Sequence, residues 1–199
     1  ANVELMTNGV ELIDIDSYEK PPTKDYLLFL GKLSLEANKI MVLQIINEIM
    51  PAIWAKHKGT KLIIAGYSPG DDLCRTLQAY PKVQLVANPE SVTEYYRNAL
   101  LMIHPHYSGT GIQNKVLEAM VCECVVVTTK IGSQGIVLEN GKHGFICENN
   151  EEIAAKAIEL IEDKSKAISM GKLARQSIIE NHTWGKVNKQ LDEIIEKYF

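Results

Sequence analysis

The stretch Ser108–Gly135, SGTGIQNKVLEAMVCECVVVTTKIGSQG, limits what this chain can fold into more than any other part of it. Gly109 and Gly111 flank Thr110, and glycines so placed let a backbone turn tightly and approach a ligand without interference from Cβ. From Ile112 the residues Ile112, Val116, Ala119 and Met120 recur at helical spacing, while Lys115 and Glu118 share a neighbouring face. Cys124 to Thr129 is a short, apolar, β-branched run, the composition of a strand buried on both faces of a parallel sheet. A glycine turn followed by a helix puts free amides and the positive end of a helix dipole in one place. That environment suits a phosphate or diphosphate.

Similar apolar runs recur ahead of this stretch. Tyr26–Leu30, Lys61–Ala65, Val83–Val86 and Leu101–Ile103 read as further short strands. Between them lie helical patterns. Asn38 to Lys56 carries Ile40, Leu43, Ile46, Ile49, Ile53 and Trp54 on an amphipathic period, with Pro51 as a break or kink. Asp71 to Tyr80 is a helix that Asp71 or Asp72 caps, Glu94 to Ala99 another, and Ile136 to Leu138 a short one. Glu151–Glu162, Lys164–Asn181 and Gly185–Phe199 close the chain. About six strands alternating with helices predict an α/β fold: a doubly wound, mostly parallel, Rossmann-like sheet with its ligand at the carboxyl ends of the strands.

Composition excludes several classes. A net charge of −4 with no dense basic run argues against nucleic-acid binding. The cysteines Cys74, Cys122, Cys124 and Cys147 show no CxxC spacing, so reduced, mostly buried thiols are expected, and no metal site. No apolar run approaches the roughly 20 residues of a membrane span, and no signal peptide is visible. Asp14-Ile15-Asp16 reads as a solvated acidic linker ahead of Pro21-Pro22. His104 and His106 would point to opposite sides of an extended strand, a poor geometry for joint ligation of a metal. The chain starts at Ala1, which fits a processed product or a fragment.

GTGIQNKVLEAM, then VVVTT, then IGSQGI, resembles the donor-binding signature of retaining glycosyltransferases with the GT-B fold, of the family-4 or group 1 type. In that family a glycine turn precedes K-x-L-E-A-M, a strand like P-V-V-A-T and G-x-x-G-[IL]. The resemblance implies the C-terminal half of a GT-B enzyme: an interdomain linker over residues 1–24, a nucleotide-sugar-binding domain over 25–181, and a last helix over 182–199 that crosses back to an absent N-terminal acceptor domain. Asn8-Gly9-Val10 is similar to the family's linker turn, and His182-Thr183-Trp184 to the start of its terminal helix.

Roles follow from the same resemblance. Lys32, Lys115 and the amides of Gly109, Thr110, Gly111 and Ile112 would hold the donor diphosphate, and Glu118 the ribose hydroxyls. Ala87 and Pro89 fall in the loop contacting the base. Lys39 and His104 are secondary candidates, and no catalytic residue is assigned to this half. Thr110 stands where the family's first glutamate falls, which puts a direct carboxylate role near the donor sugar in doubt. The implied reaction moves a sugar from a UDP- or GDP-type donor to a hydroxyl acceptor with retention, without metal or other cofactor. A bacterial polysaccharide pathway and a cytoplasmic location are implied, with peripheral attachment to the inner membrane face compatible for the full-length protein only. This half alone is expected to be inactive.

Other functions share parts of this pattern. A sugar-nucleotide epimerase half and a non-catalytic nucleotide-binding module, degenerate or regulatory, remain open. A dehydrogenase would need G-x-G-x-x-G after the first strand, where the chain reads GKLSLE. A receiver domain would need an acidic pocket at strand ends that here are Gly31, Gly66 and His104.

Overall fold

The computed structural model describes residues 4 and 6–198, without the side chain of Asp16. Six strands form one sheet: β1 (Tyr26–Lys32), β2 (Lys61–Tyr67), β3 (Val83–Ala87), β4 (Ala99–His104), β5 (Val125–Thr129) and β6 (Gly144–Cys147). Their order is β3-β2-β1-β4-β5-β6, and every pairing is parallel. The sheet is thus wholly parallel. The order reverses between β1 and β4, and the crevice outside such a reversal is where open α/β sheets bind ligands.

Apart from their ends and the exposed Gln84 of β3 the strands are apolar, because helices cover both faces. Leu27 and Phe29 of β1 face one core with α1 (Glu36–Gln44), α2 (Met50–Lys56), α3 (Asp71–Gln78) and α6 (Asn150–Glu162). Leu28 and Leu30 face the other, with α4 (Thr93–Asn98), α5 (Asn114–Val121) and α7 (Lys164–Asn181). α8 (Trp184–Tyr198) ends the described chain, and Phe199, in which the expected last helix ended, lies outside it. Among the described residues no helix is long and apolar enough to cross a membrane. All four cysteines are free, and three are buried.

Several local expectations need correction. The helix expected over 38–56 is interrupted by a π-helical turn, Ile45–Ile49, immediately before Pro51. The wider turn moves the ladder past the residue that has no N–H to give. The core stripe is consequently Met41, Val42, Ile45, Ile46, Ile49 and Ile53, and Ile40 and Leu43 are exposed. Gly70, not an aspartate, is the N-cap of α3. Asp71 and Asp72 sit in its first turn, where they still complement the helix dipole. Ile136–Leu138 is not a helix, since it runs on irregularly from the turns after β5. There the Val137 amide donates to His182 Nε2 at 2.9 Å, and the His182 carbonyl accepts from the Val10 amide at 2.8 Å. His182 therefore ties the start of the chain to its last helix.

Candidate functional site

The carboxyl ends of β1 and β4 carry the site. β1 runs out at Gly31-Lys32, and the chain turns back into α1. Asn38 on α1 is buried, its Nδ2 donating to the Lys32 carbonyl at 2.8 Å. Its Oδ1 accepts from Lys115 Nζ at 2.6 Å. Lys115 reaches over the strand ends from the second residue of α5, and its ammonium lies 5.5 Å from the Phe29 ring centroid. Gly31 is small because a Cβ there would come within 3.1 Å of that ammonium.

Among the described residues Lys115 has no carboxylate partner. The i, i+3 ion pair with Glu118 that its spacing offers is not made: Glu118 instead accepts from the hydroxyl of buried Tyr96 at 3.2 Å. Burial pushes the Lys115 ammonium down to about 8, the charge of Glu118 offsetting only part of it. A half-buried cation held by one neutral amide is an incomplete arrangement, and an anion would complete it.

The turn beside Lys115 is incomplete in the same sense. Gly109 and Gly111 have φ of 128° and 88°, outside the range that side-chain-bearing residues favour. None of the backbone amides from Tyr107 to Asn114 donates to an acceptor in the described chain. α5 begins at Asn114, two residues later than its sequence pattern suggests, and Gln113 at the N-cap makes no capping bond. Ile112 thus belongs to the turn. The free amides of the turn and of the helix start together offer donors to an anion.

The other expected residues distribute as follows. Lys32 is exposed at the end of β1, its ammonium without a partner in the described chain. It is in register with Tyr67 of β2, whose hydroxyl donates to the Pro89 carbonyl at 3.1 Å. Ala87 ends β3 opposite Gly66. Lys39 is drawn away toward carboxylates, 3.6 Å from Asp72 and 3.9 Å from Glu36. Glu118 borders a cavity of about 320 Å³, together with Val92, Leu117, Val10 and Trp184. Asp14 caps a short 3-10 turn by accepting from the Ser17 amide, and no cluster of metal-ligating side chains occurs among the described residues.

His104 and His106 do not point apart. Their rings stack, with centroids 5.4 Å apart and planes 17° from parallel. β4 ends at His104, and the chain then folds tightly through Pro105 so that the His106 amide bonds back to the His104 carbonyl at 2.9 Å. The strand alternation that predicted divergence has ended before His106. Sequence reasoning also missed Asn38, Tyr67 and Tyr96, whose parts in the site arise only from packing between elements.

Comparison with known proteins bears on the family and the fold. The chain is 28% identical over 139 residues to a protein of the Klebsiella pneumoniae cps region, and 27% identical over 143 residues to N-acetyl-alpha-D-glucosaminyl L-malate synthase of Bacillus anthracis. These alignments cover 66% and 67% of this chain and 36% of each relative. Glycogen synthase of Mycobacterium tuberculosis is 26% identical over 94% of this chain and 46% of its own length. The chain spans less than half the length of the curated relatives it matches. Among solved structures, a mutant of S. aureus TarM in complex with Fondaparinux, alpha-GlcNAc-glycerol and UDP superposes with a TM-score of 0.80 at 18% identity, over 97% of this chain and 39% of that one. Anabaena HepE in complex with UDP and glucose gives 0.70 at 16% identity, over 88% and 49%. These likenesses place the fold as the Rossmann-like C-terminal half of GT-B proteins. The family model described as glycosyl transferases group 1 matches residues 24–163, and the chain belongs to that family.

Proposed function

We propose that this chain is the donor-binding half of a retaining glycosyltransferase that moves a sugar from a UDP- or GDP-type donor to a hydroxyl acceptor. The observation that carries this reading is Lys115, a half-buried cation without a carboxylate partner, beside a turn of unpartnered amides. Breaking the bond between the anomeric carbon and the diphosphate leaves negative charge on the departing phosphate. Lys115, Lys32 and the amides of Gly109–Ile112 are fixed donors and cations aimed at that charge, so the reading calls for no metal. From β4 to β3 is three strand spacings, about 14 Å, a span suited to an extended ligand. The diphosphate would lie at β1 and β4, the ribose at Glu118, and the base toward Ala87 and Pro89.

Residues 1–24 serve as the linker, 25–181 as the donor domain, and the last helix as a bridge to the acceptor half. Trp184, Leu191 and Ile195 leave large apolar surface exposed along that helix, as a bridging surface should. TarM and HepE, crystallised with UDP, support the donor class. The acceptor half closes the site and excludes water, so this chain alone should bind donor and transfer nothing.

Calorimetric titration with UDP, GDP and ADP tests the reading. One nucleoside diphosphate should bind, and Lys32→Ala and Glu118→Ala should each weaken it by about 1.5–3 kcal/mol, the value of a hydrogen bond to a charged group. Binding of none of the three by the wild-type chain, or binding indifferent to both substitutions, would remove it.

A further inference from the structure

The stacked histidines carry an observation that the phosphate reading does not use. His104 is fully buried and His106 nearly so, yet the Nε2 atom of each has no hydrogen-bond partner. A buried ring nitrogen left unpaired is costly, and native folds keep few of them without a reason.

The tautomer of His104 follows from its neighbours. Thr128 Oγ1 donates its single proton to the His104 carbonyl at 2.9 Å and lies 3.0 Å from His104 Nδ1. A hydroxyl whose proton is spent can only accept, so Nδ1 carries the imidazole proton and Nε2 presents a lone pair. Burial and the nearby Lys115 charge hold both imidazoles below their ordinary range, so both rings are neutral near pH 7. An ammonium at this point also disfavours recruiting a second cation to the lone pairs. Thr129 Oγ1 donates to the His106 carbonyl, and the Gly132 amide donates to the same Oγ1 at 3.1 Å, which fixes the backbone beneath the second ring.

The glycine turn itself covers the second of these nitrogens. A Cβ on Gly109 would come within 2.9 Å of His106 Nε2, so only a glycine backbone lies so close to the ring edge. That turn is the segment whose amides bond to nothing in the described chain. No bond from its own amides has to break when it shifts onto an anion.

We propose that His104 Nε2 and His106 Nε2 form a subsite for hydroxyl groups of the transferred sugar, uncovered when the turn re-seats on the donor diphosphate. The inference rests on the donor reading above. His104 accepts from a hydroxyl, and its stacked neighbour offers a second nitrogen to the adjoining one. Lone pairs here supply the acceptor capacity that Thr110, exposed on the turn, cannot supply as an anion.

The test compares each sugar nucleotide with its own nucleoside diphosphate, using UDP-glucose against UDP and GDP-mannose against GDP. In the wild type one sugar nucleotide should bind more tightly than its diphosphate. His106→Phe should abolish that gain, a loss of roughly five- to tenfold, and leave the diphosphate affinity unchanged. His106→Gln, whose amide oxygen can replace Nε2 as acceptor, should restore most of it. Imidazole nitrogen resonances of the wild-type chain give a second readout that no variant can confound: the sugar nucleotide should shift both Nε2 signals beyond any change that the diphosphate causes by moving the turn. Nε2 signals that the sugar nucleotide and the diphosphate leave in the same place, or equal losses for both ligands in His106→Phe, would overturn the subsite while leaving the donor reading intact. Failure of the wild type to bind any of the four ligands would remove both.

Discussion

Lys115→Met is expected to abolish nucleotide binding and, in the same molecule, to raise the stability of the unliganded protein. The two effects have one cause. The ammonium is half-buried against Phe29 and Asn38 with no carboxylate paired to it among the described residues, and the charge of Glu118 offsets only part of the burial. Holding a lysine down at about 8 when it would titrate near 10.5 in the unfolded chain disfavours the charged form by about 2 kcal/mol once the exposed part is discounted. Methionine keeps most of the stem and removes the charge. Thermal or urea denaturation near pH 7 should therefore show a variant more stable than wild type by about 1–2 kcal/mol, worth a few degrees in Tm. The pH dependence has a fixed sign. The unfolded chain binds more protons than the folded one between about 8 and 10.5, so the wild type gains stability as pH rises through that window and the advantage of the variant disappears. Calorimetry should meanwhile find diphosphate affinity lowered at least a hundredfold, since the variant leaves a ligand anion without its buried partner. A variant that binds like wild type, or that is destabilised at neutral pH, would show that Lys115 is structural.

That pairing of effects could not be read from the sequence, although Lys115 itself could. KVLEAM marks the position, but the spacing to Glu118 equally fits a surface ion pair, and only the placement of Asn38 and Tyr96 shows that the pair is not made. The sheet was legible for a plain reason: strands buried on both faces are unbroken apolar runs, as in Leu27–Leu30, Leu62–Ala65 and Val125–Val127. The helix over 38–56 was harder because Ile40, Met41, Val42 and Leu43 are apolar on every side. No period chooses the buried face there, and the π turn before Pro51 does. The stacking of His104 on His106 depends on the chain leaving its strand at Pro105, a boundary that alternation alone does not announce. Tyr67 and Asn38 owe their places to contacts with Pro89 and Lys115, far from them in sequence.

Gly66→Ala should be the most damaging small substitution in the sheet. A Cβ at Gly66 would overlap the Gly31 carbonyl oxygen and lie 2.9 Å from the carbonyl carbon. Gly31 and Gly66 are partners at the ends of the adjacent strands β1 and β2. The obstruction is backbone, so no side chain can swing aside. Leu33 Cγ, 3.0 Å away, closes the remaining direction. Relief requires the strand ends to separate, breaking the bond from the Leu33 amide to the Tyr67 carbonyl, now 2.8 Å. A cost of about 4 kcal/mol is expected, at the upper end for a single substitution and a large part of what holds a domain folded. In urea the midpoint should fall by roughly 1.5–2 M. Gly59→Ala is the matched control, because a Cβ there meets nothing within 4 Å and the midpoint should hardly move. Equal midpoints for the two variants would refute the close approach of the strands. Whatever fraction of Gly66→Ala remains folded should also bind nucleotide poorly, because Lys32 and Tyr67 leave the sheet side by side directly beyond this contact. The closeness of two glycines thereby sets the spacing of the cation on β1 and the aromatic ring on β2.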